Sequence, residues 1–271
     1  MTPIQSQFDL SGRTAIVTGG VGLLGNQFSK TLAEAGARVL VADLNEEAAA
    51  ATASQLQAGG YTAEAARVDI TRPDSIQAMV DQAGETLDIV VNSAAWDPKF
   101  DPDNIDEQGA NAFETYPLDQ WNAAVKINLT GMFLVCQAAA RSMKKRGRGS
   151  LINICSTYGL TGPDQRIYER PGQPPSFKPV FYSVTKAGVL GLTRYIATYY
   201  AGTALRCNAL TPGGIYNDHD EAFTKAYSYR AVMGRMAEPH EMNGAVLFLA
   251  SDASSYMTGS NLVVDGGWTA W

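Results

Sequence analysis

Histidine is nearly absent from this 271-residue chain: His219 and His240 are the only two. A Ser-His-Asp relay therefore has almost no material, and no nucleophile-elbow motif supports one. Cysteine is scarce too. Cys136, Cys155 and Cys207 are odd in number, far apart and set in apolar segments, which excludes a disulfide framework or Cys-based metal site and fits a reducing, cytoplasmic compartment. Basic charge is outnumbered, 21 Lys and Arg against 27 Asp and Glu, for a net charge of -6. Nucleic acid is thus not an expected partner, because neutralising phosphates takes clustered Lys and Arg. The densest basic run, Arg141, Lys144, Lys145, Arg146 and Arg148, reads as a solvated helix end and turn, since Gly147 and Gly149 break it before a strand. The opening MTPIQSQFDL has neither a basic n-region nor an apolar h-region, so no signal peptide is expected. No apolar run approaches the roughly 20 residues that span a bilayer, and no membrane partner is expected. Asp218-His219-Asp220-Glu221 has the composition of a metal cluster but reads as the solvated start of a helix; no metal is expected.

What is present is an ordinary globular mix, 45% hydrophobic and 18% charged. Short apolar runs at 14–19, 38–43, 65–70, 87–92, 150–155, 204–210 and 261–266 read as buried parallel strands. The stretches between them read as helices starting near residues 24, 45, 73, 118, 181, 219 and 239. This alternation predicts an α/β fold: a doubly wound, Rossmann-type seven-stranded parallel sheet with helices on both faces. No linker divides the chain, so residues 1–271 are expected to form a single domain. Two stretches break the rhythm, an acidic one at about 96–117 and one with five prolines at about 159–180. Each follows the carboxyl end of a predicted strand, where open α/β sheets bind ligands. Long loops there are commonly lids or binding loops, although a merely solvated loop is an equal alternative.

The first strand runs into Thr18-Gly19-Gly20-Val21-Gly22-Leu23-Leu24-Gly25 and then a helix. Glycines allow a tight turn and close approach of a pyrophosphate, and the helix N-terminus offers N–H groups and a positive dipole. Asp43 ends the second strand, 18 residues after Gly25. There it can accept hydrogen bonds from both adenosine ribose hydroxyls and repel a 2′-phosphate, favouring NAD over NADP; the alternative is a cap for the next helix. Arg38 lies at the wrong end of that strand to rescue NADP. Asp69, expected to end the third strand, and Asn92-Ser93-Ala94-Ala95 at the end of the fourth are placed to line the adenine side, or serve as strand-end turn chemistry.

Tyr182 and Lys186 lie four residues apart at the start of a predicted helix, hence on one face. An unperturbed phenol has a pKa of about 10 and is a poor base at neutral pH. A nearby ammonium, with a positive nicotinamide ring, stabilises the phenolate and fits the tyrosine for general acid–base work. Tyr-x-x-x-Lys alone is common. Here Ser156, at the end of the fifth strand, can hydrogen-bond a substrate oxygen, and Asn128 lies on the preceding helix. Taken singly, Ser156 reads as a turn hydroxyl and Asn128 as a buried amide.

Together, Thr18-Gly19…Gly25, Asp43, Asp69, Asn92-Ser93-Ala94, Asn128, Ser156, Tyr182, Lys186, Pro212-Gly213 and Val263-Val264-Asp265-Gly266-Gly267 resemble a short-chain dehydrogenase/reductase of the single-domain type over nearly the whole chain. The resemblance implies Tyr182 as acid/base, Ser156 as carbonyl positioner, Lys186 on the nicotinamide ribose and Asn128 holding a proton-relaying water. It implies a cofactor site of Gly19, Gly22, Leu24, Gly25, Asp43, Leu44, Asp69, Ile70, Asn92, Ser93, Ala94, Tyr182, Lys186, Pro212, Gly213 and Ile215. The second loop leaves beside Ser156 and returns at Tyr182, so Arg166, Tyr168 or Arg170 is expected to contact a polar or anionic substrate group, with Trp96 and Tyr158 as further substrate candidates.

There are departures. The common pattern has glycine where Leu23 stands, and the Gly19-x-x-Gly22-x-x-Gly25 spacing is similar to the sugar-nucleotide epimerase branch. Gly214-Ile215-Tyr216-Asn217 follows Pro212-Gly213 where a carboxamide-touching threonine is usual, so a backbone contact from Ile215 would have to substitute. The gap of 26 residues from Ser156 to Tyr182 is about twice the family's usual one. The long second loop gives a weaker resemblance to oxidoreductases of flagellin-modification and nonulosonic-acid pathways, implying a polar, sugar-like substrate. The function so implied is NAD-dependent hydride transfer to or from a secondary alcohol or ketone. A 3-oxoacyl thioester reductase and a catalytically silent NAD-binding sensor are the alternatives. A homo-oligomer, tetramer or dimer, is implied through the helices near 118 and 181, with Trp268 and Trp271 as candidate interface residues.

Overall fold

In the computed structural model, which describes residues 3–98, 111–170, 172 and 175–271, seven strands form one parallel sheet in the order β3-β2-β1-β4-β5-β6-β7. They are β1 Thr14–Thr18, β2 Arg38–Asp43, β3 Ala63–Arg67, β4 Leu87–Asn92, β5 Arg148–Ile154, β6 Ala204–Pro212 and β7 Asn261–Val264. Helices α1 (Leu23–Glu34), α2 (Glu46–Ala58) and α3 (Pro73–Ala83) connect the first four strands. Helix α4 (Leu118–Val125) runs through a π-helical turn, Lys126–Gly131, into α5 (Met132–Arg146); α6 (Val180–Tyr199), α7 (Glu221–Arg230) and α8 (Asn243–Ala250) follow.

Alternation along the strands builds both faces. Ile16, Leu40, Val90 and Leu151 pack with side chains of α3, α5 and α6. Their neighbours Val17, Val41, Ile89 and Ile152 pack with α1, α2 and α8. The helix ends obey local rules. Asn45 caps α2 by accepting from Ala48 N–H, and Gly147, at φ 70°, ends α5 in the left-handed region. On either side of it, Arg146 and Arg148 both pair with the buried Asp88.

The third strand is displaced from its expected place at 65–70. As an edge strand it pairs only with β2, in a register that matches Asp43 with Arg67, so it ends when β2 does. Asp69 and Ile70 therefore lie beyond it. Strand β5 likewise ends at Ile154, leaving Ser156 as the cap of a short turn at Thr157–Gly159. The segment near 239 opens as a 3-10 turn, Pro239–Met242, before α8. Contrary to the expectation from apolar runs, the continuous helix Leu118–Arg146 is long and apolar enough to cross a membrane, but half of its most apolar stretch is buried in the molecule. Of the first loop, residues 99–110 lie outside the described residues, as do 171, 173 and 174 of the second.

Candidate active site

Sheet order reverses between β1 and β4, and the loops that leave these strands meet there. Gly19 takes φ 63°, and a Cβ on it would lie 2.7 Å from Ala94 Cα. A side chain at Gly25 would strike the Gly19 carbonyl. Gly22 precedes α1 with no side-chain cap on the helix, so the first-turn N–H groups face the crevice, an arrangement that suits a phosphate. One cleft runs from this loop past Asp43, Leu44, Asp69, Ile70, Ser93, Ala94 and Trp96. A second continues from Gly19, Leu24 and Gly25 past Ser156, Tyr182 and Lys186 to Pro212, Gly213 and Ile215.

Asp43 is drawn toward the glycine loop: Val21 N–H donates to its Oδ2 at 3.3 Å and Asn45 N–H to its Oδ1 at 3.1 Å. Arg38 is held away by Glu64, at 2.8 Å. Thr71 hydrogen bonds hold the Asp69 carboxyl below its usual range. Asn92 does not reach the cleft surface. It is buried beneath it, where its Nδ2 donates to Asn153 Oδ1 at 2.8 Å and its own Oδ1 has no hydrogen-bond partner among the described residues. It belongs to the floor that shapes the crevice.

Tyr182 lies in the first turn of α6 and Lys186 one turn on. Ser156 lines the same cleft as the phenol, and its Oγ accepts from Tyr158 N–H at 3.2 Å. Lys186 is buried, its Nζ 5.7 Å from the Tyr182 ring centroid and donating to Ile154 O at 3.0 Å. Burial pushes the Tyr182 pKa up, Asp97 adds to the rise, and the Ser156 hydroxyl opposes it. Burial pushes Lys186 down. The expected lowering of the phenol by an adjacent ammonium is thus outweighed by desolvation. Asn128 sits in the π-helical turn. Each end of its amide makes one bond to Trp96, whose N–H donates to Oδ1 at 2.6 Å and whose carbonyl accepts from Nδ2 at 2.9 Å.

The candidate substrate residues divide. Tyr158 and Tyr168 line the catalytic cleft and their hydroxyls are 3.1 Å apart; burial pushes Tyr158 up to about 12. Arg170 lines the adjoining mouth, paired with Asp220 at 2.6 Å. Trp96 stacks on Phe181, centroids 5.2 Å apart, and lines the adenine-side cleft. Arg166 points outward, its side chain 79% exposed and paired with Asp164. Asp220 caps α7 through Phe223 N–H, and His219 stacks on Phe223. Trp268 is buried against Tyr227, centroids 4.1 Å apart, and so is no surface for a second subunit; Trp271 is exposed.

Sequence reasoning missed Lys178, Asp97 and Tyr227. Lys178 Nζ stands 4.0 Å from the Tyr182 ring centroid and binds both carboxylate oxygens of Asp97, at 2.7 and 2.8 Å. Its spacing to Tyr182 is again four residues, but Pro179 hides the helical pairing. Tyr227 Oη accepts from Gly214 N–H, bracing the segment where the usual threonine is missing.

A family model described as enoyl-(acyl carrier protein) reductase matches residues 22–269. The chain is 34% identical to 3beta-hydroxysteroid dehydrogenase 2 of Eggerthella lenta, over 97% of this chain and 96% of that one. It is 31% identical to D-threitol dehydrogenase of Mycolicibacterium smegmatis, over 98% and 96%. Among solved structures, a gluconate 5-dehydrogenase from Burkholderia cenocepacia in complex with NADP and tartrate superposes with TM-score 0.86 at 31% identity, covering 99% of this chain and 100% of that one. With its seven-stranded sheet, its glycine-loop crevice and relatives matched over nearly their full lengths, the chain belongs to the short-chain dehydrogenase/reductase family and is an NAD(P)-dependent enzyme acting on CH–OH groups.

Proposed function

We propose that the enzyme uses NAD to interconvert a secondary alcohol and a ketone on a small, polar, sugar-like substrate. The observation that carries this reading is the convergence of Ser156, Tyr182 and Lys186 on the cleft that opens from the glycine loop. The bound dinucleotide would supply the hydride acceptor or donor. Ser156 holds the substrate oxygen, and Tyr182 takes its proton in oxidation or returns it in reduction. Lys186 provides positive charge beneath the phenol and a donor for the nicotinamide ribose. Asn128 braces the Trp96 segment along the cofactor through one bond at each end of its amide, and the second N–H and second lone pair are what a proton-relaying water would use.

NAD is favoured by the Asp43 carboxylate at the end of β2 and by the diversion of Arg38 to Glu64. The polar substrate is supported by the charged mouth, Asp97, Lys178, Arg170, Asp220 and His219, and by the polyol and gluconate dehydrogenases among the relatives. The loop from Gly159 to Val180 would act as a substrate-selecting lid. We place the enzyme in a reducing, cytoplasmic setting on its three buried free cysteines, as one catalytic domain. We further propose a homo-oligomer joined through α4–α5 and α6, which expose Leu118, Phe133, Val184, Tyr195 and Tyr199; a monomer in sedimentation would remove that. The cofactor test compares kcat/KM for NAD and NADP in the wild type and in Asp43→Ala. NAD should be preferred, and the variant should bind NAD more weakly and narrow the gap. Equal or better use of NADP by the wild type refutes the assignment.

A further inference from the structure

We propose that Lys178 selects the substrate: it binds a carboxylate on a hydroxy acid or oxo acid, and Asp97 is the internal carboxylate that holds its place. The inference rests on the dehydrogenase reading above and names the class of molecule that the site takes. Lys178 lines both the catalytic cleft and its mouth, with its side chain only 16% exposed. Its ammonium lies 4.0 Å from the centroid of the Tyr182 ring, so an anion bound to it is a few bond lengths from the carbon that reacts.

The other cations near this cleft are committed. Lys186 donates to Ile154 O. Arg170 is held by Asp220 and by the Ile167 and Glu169 carbonyls, and Arg230 by Asp164 while lying over Trp268. Among the described residues the Lys178 ammonium has one hydrogen-bonding partner, Asp97, through both carboxylate oxygens, and otherwise lies over the Tyr182 ring; the pocket around Nζ thus accepts a carboxylate. Asp220 is tied a second time, as the cap of α7, whereas Asp97 lies on the irregular segment after β4. A substrate carboxylate reaching Lys178 exchanges one charge-assisted pair for another at a partly buried position, and charge-assisted bonds are stronger than neutral ones. A neutral alcohol has no equivalent exchange to offer.

The experiment measures calorimetric binding of matched pairs to the NADH-loaded enzyme: glycerate with glycerol, tartrate with threitol, gluconate with glucitol. At least one acid should bind more tightly than its neutral partner. Lys178→Met should weaken that acid about ten- to hundredfold and leave the neutral partner within about twofold, and Lys178→Arg should restore part of the loss. Asp97→Asn should tighten the acid, because it removes the competing carboxylate. A merely structural ion pair would move both variants in the same direction. Absence of acid preference in all three pairs, or weaker acid binding in Asp97→Asn, overturns the proposal. Steady-state oxidation of neutral secondary alcohols is followed in parallel. Turnover without acid preference removes Lys178 as selector and keeps the dehydrogenase reading, while absence of any hydride transfer removes that reading itself.

Discussion

Tyr182 carries two opposing influences that a sequence cannot weigh. Its neighbour at four residues, Lys186, argues for an acidic phenol, yet burial and Asp97 drive its pKa upward. The sign of the kinetic consequence follows. A phenol with a raised pKa keeps its proton at neutral pH, so oxidation, which needs the phenolate, should accelerate as pH rises, while reduction, which needs the phenol, should persist to high pH. Asp97→Asn removes a negative charge near the ring and should shift the rising limb of oxidation to lower pH. Lys178→Met leaves Asp97 uncompensated and should shift it to higher pH. pH–rate profiles of kcat for both variants check this, and a shift of the same sign in both would contradict it. The tyrosine, lysine, serine and asparagine were legible only as a set, since each taken singly has a common structural reading. Lys178 and Asp97 were not, since 81 residues separate them and only the fold brings them together.

At the scale of elements, the segment 159–180 shows the limit of reading composition. Prolines and charges marked it as an excursion, yet it is anchored. Ile167 is buried in a cluster with Tyr158, Phe223, Tyr227, Met236 and Trp268, against which Tyr168 packs. Arg170–Asp220 and Arg230–Asp164 tie the same segment to α7. The loop, α7 and the Trp268 turn thus form a second small core over the carboxyl edge of the sheet, and Trp268 reads as a surface residue from sequence because its partners are so distant along the chain. Replacing the loop by a short flexible connection would strip this core. A milder test is Ile167→Ala, expected to cost about 2–5 kcal/mol of local or global stability. It should raise KM for substrate and protease cleavage within 159–180 while leaving NAD affinity within about twofold. Unchanged substrate kinetics would show the segment to be peripheral to the site.

Across the whole molecule, strand periodicity and the glycine loop were enough to read a doubly wound sheet, because each strand must bury both faces and each crossover must return parallel. The boundaries that failed did so for pairing reasons: β3 ends with its one neighbour, and β5 yields to a turn capped by Ser156. The crevice between the β1 and β4 loops, the Tyr182 face of α6 and the core above the sheet edge meet where the proposed reaction would run, hydride transfer between a carbinol carbon and a nicotinamide ring with Tyr182 moving the proton. The most direct measurement uses a secondary alcohol substrate deuterated at the carbinol carbon and follows deuterium into the reduced dinucleotide, for wild type and Tyr182→Phe. The wild type should transfer the label to nicotinamide C4, and the variant should lose about two or more orders of magnitude in rate with cofactor binding nearly intact. Label lost to solvent in the wild type, or transfer by Tyr182→Phe at the wild-type rate, would contradict the account.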